Sequence, residues 1–165
     1  MTIKLKSAQA LGGVIKNNAS LKGYFLNNVD KERVDFLIDG LFLNLNRYGY
    51  ISCPCRLSSG KYYKDEDLIC PCDYMEYDVK EYGACFCGLY VSKDIFDGKK
   101  EFAPVPERRS PKKTFAVISK DENKKVDDIV WRCPICGYRI SGEKVTEKCP
   151  KCNASPQVFE RQSEE

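Results

Sequence analysis

The sequence predicts a mainly α protein, a helical domain followed by a small module held together by metal. Apolar residues recur at helical spacing through the first half of the chain, and ten cysteines fall into two groups of different pattern. The third observation is that none of the 165 residues is histidine. That removes Ser-His-Asp triads, Cys-His pairs, HExxH proteases and His-ligated metals from consideration. The length suits one ordinary domain with a small appendage, and a net charge of +3 is too small to mark a nucleic-acid binder.

Leu5, Ala8, Leu11 and Ile15 suggest a first helix, weakened by Gly12 and Gly13. Val34, Leu37, Ile38, Leu41, Phe42, Leu45 and Tyr48 form the broad apolar stripe of a second. Asn28 or Asp30 can cap its start and Gly49 can end it. Met75, Val79 and Tyr82 place a short third helix between Cys72 and Cys85, and all these stripes are read as core. Lys99 to Lys113 carries three prolines and six basic against two acidic residues, the composition of a solvated, partly extended linker. TFAVI (114–118) could be a short strand, and the second module begins near Ile129. The chain thus divides into residues 1–103, a linker at 104–128, and a module at 129–165.

No apolar run suits a signal-peptide core or a membrane span, so a cytoplasmic chain with no membrane partner is expected. In that reducing compartment, clustered cysteines mean metal or redox chemistry more often than structural disulfides. The bland alternative is a secreted disulfide protein whose signal has been removed.

Cys53–Cys55, Cys70–Cys72 and Cys85–Cys87 are three C-x-C pairs. Each C-x-C pair, held in a turn, can send its two sulfurs to different destinations. Pro54 and Pro71 fix the turns and bias the preceding cysteine towards extended geometry. Six thiolates exceed what one tetrahedral metal or one cubane accepts, since each takes four. Four ligands and two further thiols, able to form a disulfide beside the cluster, is the natural partition. A purely structural cluster or zinc site with two idle thiols is the alternative.

CPC, CPC and C-x-C, with Arg56 after the first pair, GLYVS after the third, GYFLNN before the long helix and YGYISCPC after it, resemble the catalytic subunit of ferredoxin:thioredoxin reductase over residues 20–98. The resemblance implies a small helical disc around a [4Fe–4S] cluster. Position by position, it implies Cys53, Cys70, Cys72 and Cys85 as cluster ligands and Cys55 and Cys87 as the redox-active disulfide. Cys55 would be the exposed nucleophile, and Cys87 would stay beside the cluster. Ferredoxin delivers one electron at a time whereas a disulfide needs two, so a cluster that stabilises the half-reduced state meets a physical need. Two departures stand out. Phe86 occupies the place of the family's histidine, and the gaps of 14 and 12 residues between pairs differ from those usual in the family.

Cys133, Cys136, Cys149 and Cys152 form two C-x-x-C knuckles, a closed S4 site that suits a single Fe or Zn. Gly137 lets backbone N–H groups approach sulfur, and Asn153 at the equivalent place tolerates positive φ. Trp131, Tyr138 and Phe159 would pack a core too small to stand without its metal. CPICGY after Trp131, with VFE near the end, resembles a rubredoxin, particularly the short form at the end of rubrerythrins, which implies a small β-rich fold. A redox-inert zinc ribbon is the alternative.

Residues 1–22 carry four Lys and no acid, whereas residues 61–82 carry seven acids against three Lys. The basic segments could steer an acidic ferredoxin, although ordinary solvated faces are the plainer reading. No GxGxxG follows a predicted strand and there is no P-loop, so a protein carrier is expected to bring the electrons. The whole reads as an iron–sulfur disulfide reductase that takes electrons from ferredoxin and reduces thioredoxin or a similar protein. The alternatives are a non-catalytic electron carrier or redox sensor, and a zinc-ribbon binding module.

Overall fold

The computed structural model of the protein describes residues 5–110 and 129–162. Helix α1 (Ala8–Leu21) starts at Ser7, whose hydroxyl accepts from the Ala10 N–H at 3.2 Å. One of its two glycines has a packing reason: a Cβ at Gly12 would lie 3.2 Å from Ile38 Cδ1, while nothing lies within 4 Å of one at Gly13. Helix α2 (Lys31–Tyr48) is capped by Asp30, which accepts from the Arg33 N–H, and ends at Gly49 in the left-handed region with φ 81°. Val34, Leu37 and Leu41 on α2 and Leu11, Ile15 and Ala19 on α1 belong to one buried core. Burying each large aliphatic side chain contributes about 2 kcal/mol.

Beyond α2 the chain turns through the first C-x-C pair. It continues into a short helix, α3 (Tyr62–Asp65), and a 3-10 turn at Glu66–Leu68. The expected helix between the second and third pairs is α4 (Met75–Tyr82), ended by Gly83 at φ 91°. Two strands, β1 (Phe25–Leu26) and β2 (Tyr90–Val91), pair antiparallel, and α5 (Lys93–Phe96) follows.

The segment expected as a solvated linker needs correction over its first part. Residues 104–110 carry no regular structure, but Val105 and Arg109 are buried. Arg108 pairs with Asp78 and Glu81, and Arg109 pairs with Asp67. The acidic run at 61–82 and the basic segment therefore partly neutralise one another inside the molecule. The strand expected at 114–118 lies outside the described residues.

The second module is a three-stranded antiparallel sheet of β3 (Val130–Arg132), β4 (Arg139–Ser141) and β5 (Glu160–Arg161), in the order β4-β3-β5. A helical domain with a small β-rich knuckle is thus the fold, as predicted. The module rests directly on the first domain. Ile51 N–H donates to the Cys136 carbonyl at 3.0 Å, and Arg132 Nη2 donates to the Gly49 carbonyl at 2.6 Å. Lys151 Nζ reaches the Pro71 carbonyl at 3.0 Å and Asp73 at 2.9 Å. Gly137 has φ 80°, and a Cβ there would overlap the Gly49 carbonyl oxygen and lie 2.5 Å from Tyr50 Cα. Only a glycine admits this approach.

Candidate functional site

The three C-x-C pairs converge because three different elements deliver them. Cys53–Cys55 follows α2, where Pro54 packs on Gly40 so tightly that a Cβ there would lie 2.8 Å from Pro54 Cβ. Cys70–Cys72 precedes α4, with a cis bond between Cys70 and Pro71, and Cys85–Cys87 lies between α4 and β2. The backbone fixes these turns to one another. Cys53 N–H donates to the Leu68 carbonyl at 2.9 Å, Cys70 N–H to Ile51 at 2.9 Å, and Cys85 N–H to Tyr90 at 2.9 Å.

Cys53, Cys70, Cys72, Cys85 and Cys87 line one cavity of about 300 Å³, its open mouth included. Apolar side chains such as Leu37, Met75 and Leu89 complete its wall. Hydrogen-bond donors point at the sulfurs: Tyr90 N–H at Cys85 Sγ (3.3 Å) and Arg56 Nη1 at Cys72 Sγ (3.3 Å). The buried Tyr90 hydroxyl lies 3.7 Å from Cys70 Sγ. Cysteine sulfurs served by donors around an otherwise apolar hollow fit a multi-iron cluster, since the ligating form is the thiolate.

Cys55 lies outside that wall and is half-buried. Cys53 Sγ lies 2.8 Å from Cys87 Sγ. Hydrogen bonds from Cys53 and Cys87, then the charges of Arg33 and Arg56, pull the Cys55 thiol down to about 3 against desolvation. Hydrogen bonds with Cys53, Cys55 and Cys85 push Cys87 upward. The sulfurs of Cys53, Cys55 and Cys87 thus form one contact group, in which Cys53 and Cys87 belong to the cavity wall and Cys55 does not.

Several contributors were not expected from the sequence. Arg33, from the start of α2, donates to the Cys87 carbonyl at 2.8 Å. Glu107, from the segment read as linker, grips Arg56 through Nε and Nη2 at 2.7–3.0 Å. Phe86, already seen in the sequence to stand where the family has a histidine, lays its ring centre 4.5 Å from the Arg56 guanidinium carbon.

In the second module, the sulfurs of Cys133, Cys136, Cys149 and Cys152 all lie within 4.8 Å of one another and all four residues are buried. The two knuckles repeat one geometry. Gly137 N–H donates to the Cys133 carbonyl at 2.9 Å and Asn153 N–H to Cys149 at 2.8 Å, with Asn153 at φ 60°. Neighbouring thiols hydrogen-bond Cys133 and hold it well below the usual thiol range, while burial pushes Cys136 up. This compact set fits a single tetrahedral ion. Cys152 and Cys70, one from each site, line a common hollow beside Ile15 and Tyr90.

Comparison with known families gives two matches. A family model described as ferredoxin thioredoxin reductase catalytic beta chain matches residues 4–108, and one described as rubrerythrin, rubredoxin-like domain, matches residues 131–160. The first spans all three C-x-C pairs and the second both C-x-x-C pairs, in agreement with the resemblances of the motifs. Comparison with curated proteins finds no match.

Proposed function

The chain belongs to the ferredoxin thioredoxin reductase catalytic beta chain family, with a rubredoxin-like domain at its C-terminal end, and we propose that it is a cytoplasmic iron–sulfur disulfide reductase. Its electrons come singly from a ferredoxin, and its substrate is a protein disulfide such as that of a thioredoxin. Cys53, Cys70, Cys72 and Cys85 would hold a [4Fe–4S] cluster, and Cys55 and Cys87 form the working disulfide. The observation that carries this reading is the contact group of Cys53, Cys55 and Cys87, with Cys55 alone of the three outside the cavity wall. When bound, the cluster supplies single electrons to a reaction that consumes two.

The chain's own residues divide the remaining work. Reduction opens the Cys55–Cys87 bond. The Cys55 thiolate attacks one sulfur of the target disulfide, the other target sulfur leaves as thiolate, and a mixed disulfide forms. The second electron brings Cys87 to the thiolate, which attacks the Cys55 sulfur; the target's remaining sulfur leaves as a thiolate, and the Cys55–Cys87 bond is restored. Per turnover two electrons and two protons enter and one target disulfide becomes two thiols. Arg33 and Arg56 favour the thiolate of Cys55, the attacking form.

The rubredoxin-like site would hold a single Fe that passes electrons towards the cluster, with Zn as the alternative occupant. Its packing against Ile51 and the hollow shared by Cys152 and Cys70 support the relay. Cys55→Ser tests the reading: the variant keeps its visible absorption and loses disulfide reduction, whereas surviving turnover would refute the nucleophile assignment. Replacing the single Fe by Zn slows electron delivery from ferredoxin, and full activity with Zn would exclude an obligatory relay.

A further inference from the structure

Arg56 is the most enclosed cation of the site. It is 7 % exposed, its guanidinium lies 4.9 Å from the Tyr74 ring centre and 4.5 Å from that of Phe86, and its Nη1 donates to Cys72 Sγ at 3.3 Å. A ring face holds a cation without cancelling its charge. Where a histidine would offer a proton that comes and goes, Phe86 backs a guanidinium whose charge is permanent. Among the described residues the carboxylate paired with Arg56 is that of Glu107, gripped through two nitrogens on a side chain that is 40 % exposed. Glu107 is itself held in place: Oε1 accepts from the Arg109 N–H at 2.8 Å, and Arg109 is locked to Asp67 at 3.0 Å.

We infer that Arg56 and Glu107 form a charge pair that sets the reduction potential of the cluster proposed at Cys72, Arg56 raising it and Glu107 moderating the rise. The inference rests on the cluster reading above. Each reduction step adds one negative charge beside Cys72, and a buried positive charge in hydrogen-bond contact with that sulfur stabilises the more negative state. Glu107 opposes it from a wetter, farther position, so its effect is weaker and of opposite sign. Arg56 acts through Cys72 and is a positioning residue: it fixes the thiolate and the local field.

The test is a potentiometric titration of the anaerobic holoprotein, followed by absorbance and electron paramagnetic resonance. Arg56→Gln shifts the cluster potential to more negative values, Arg56→Lys restores part of the shift, and Glu107→Gln moves the potential to more positive values. Unchanged potentials in the Gln variants, or shifts of the same sign, would overturn the inference. If Arg56→Gln does not retain its cluster, Glu107→Gln decides: a positive shift supports the pair, and a zero or negative one overturns it. A wild-type chain that contains no sulfide would instead remove the cluster reading itself.

Discussion

Arg109 and Asp67 meet at 3.0 Å with side chains only 6 % and 10 % exposed, and Asp67 also accepts the Tyr74 hydroxyl at 2.6 Å. Removing one member of a buried pair strands the other charge. Arg109→Ala is therefore expected to destabilise the first domain by about 3 kcal/mol, seen as a lower thermal midpoint of the holoprotein by circular dichroism. An unchanged midpoint would mean that water already satisfies Asp67. The cysteine pairs were legible because C-x-C and C-x-x-C are local patterns. Arg33, Glu107 and Arg109 were not, because their partners lie 54, 51 and 42 residues away. Composition alone registered the last two as part of a solvated basic stretch.

At the scale of elements, the two glycines of α1 and the single glycine of α2 behave differently. Gly13 has open space beyond its Cα, so Gly13→Ala should stabilise α1 by about 1 kcal/mol through helix propensity alone. Gly40 faces Pro54, the residue between Cys53 and Cys55. Gly40→Ala would push that turn, and the expected result is slower disulfide reduction despite the same propensity gain. Measuring thermal midpoint and turnover for both variants separates the effects; equal activity in both would show that α2 does not position the turn. Helices α1, α2 and α4 were readable from apolar spacing, including the Asp30 cap and the Gly49 end. Strands β1 and β2, of two residues each, and helices α3 and α5, of four, are too short to show a period and form because tertiary contacts hold them.

At the scale of the molecule, the rubredoxin-like module was legible as a metal knuckle, but its seat on the first domain was not. On the first domain's side that seat is mostly backbone, the Ile51 amide and the carbonyls of Gly49 and Pro71, met by the Cys136 carbonyl and the Arg132 and Lys151 side chains. Backbone groups carry no sequence signal. Gly137→Ala is expected to lift the module from Tyr50, so that in protein shown by iron analysis to retain both sites the proposed cluster is reduced more slowly by ferredoxin in stopped-flow measurements. An unaltered rate would separate docking from electron delivery. The central claim, an iron–sulfur disulfide reductase with a second iron beside it, is tested most directly by iron, zinc and acid-labile sulfide analysis of the anaerobically purified chain. About five Fe and four sulfides per chain are predicted; stoichiometric zinc with no sulfide would contradict the account.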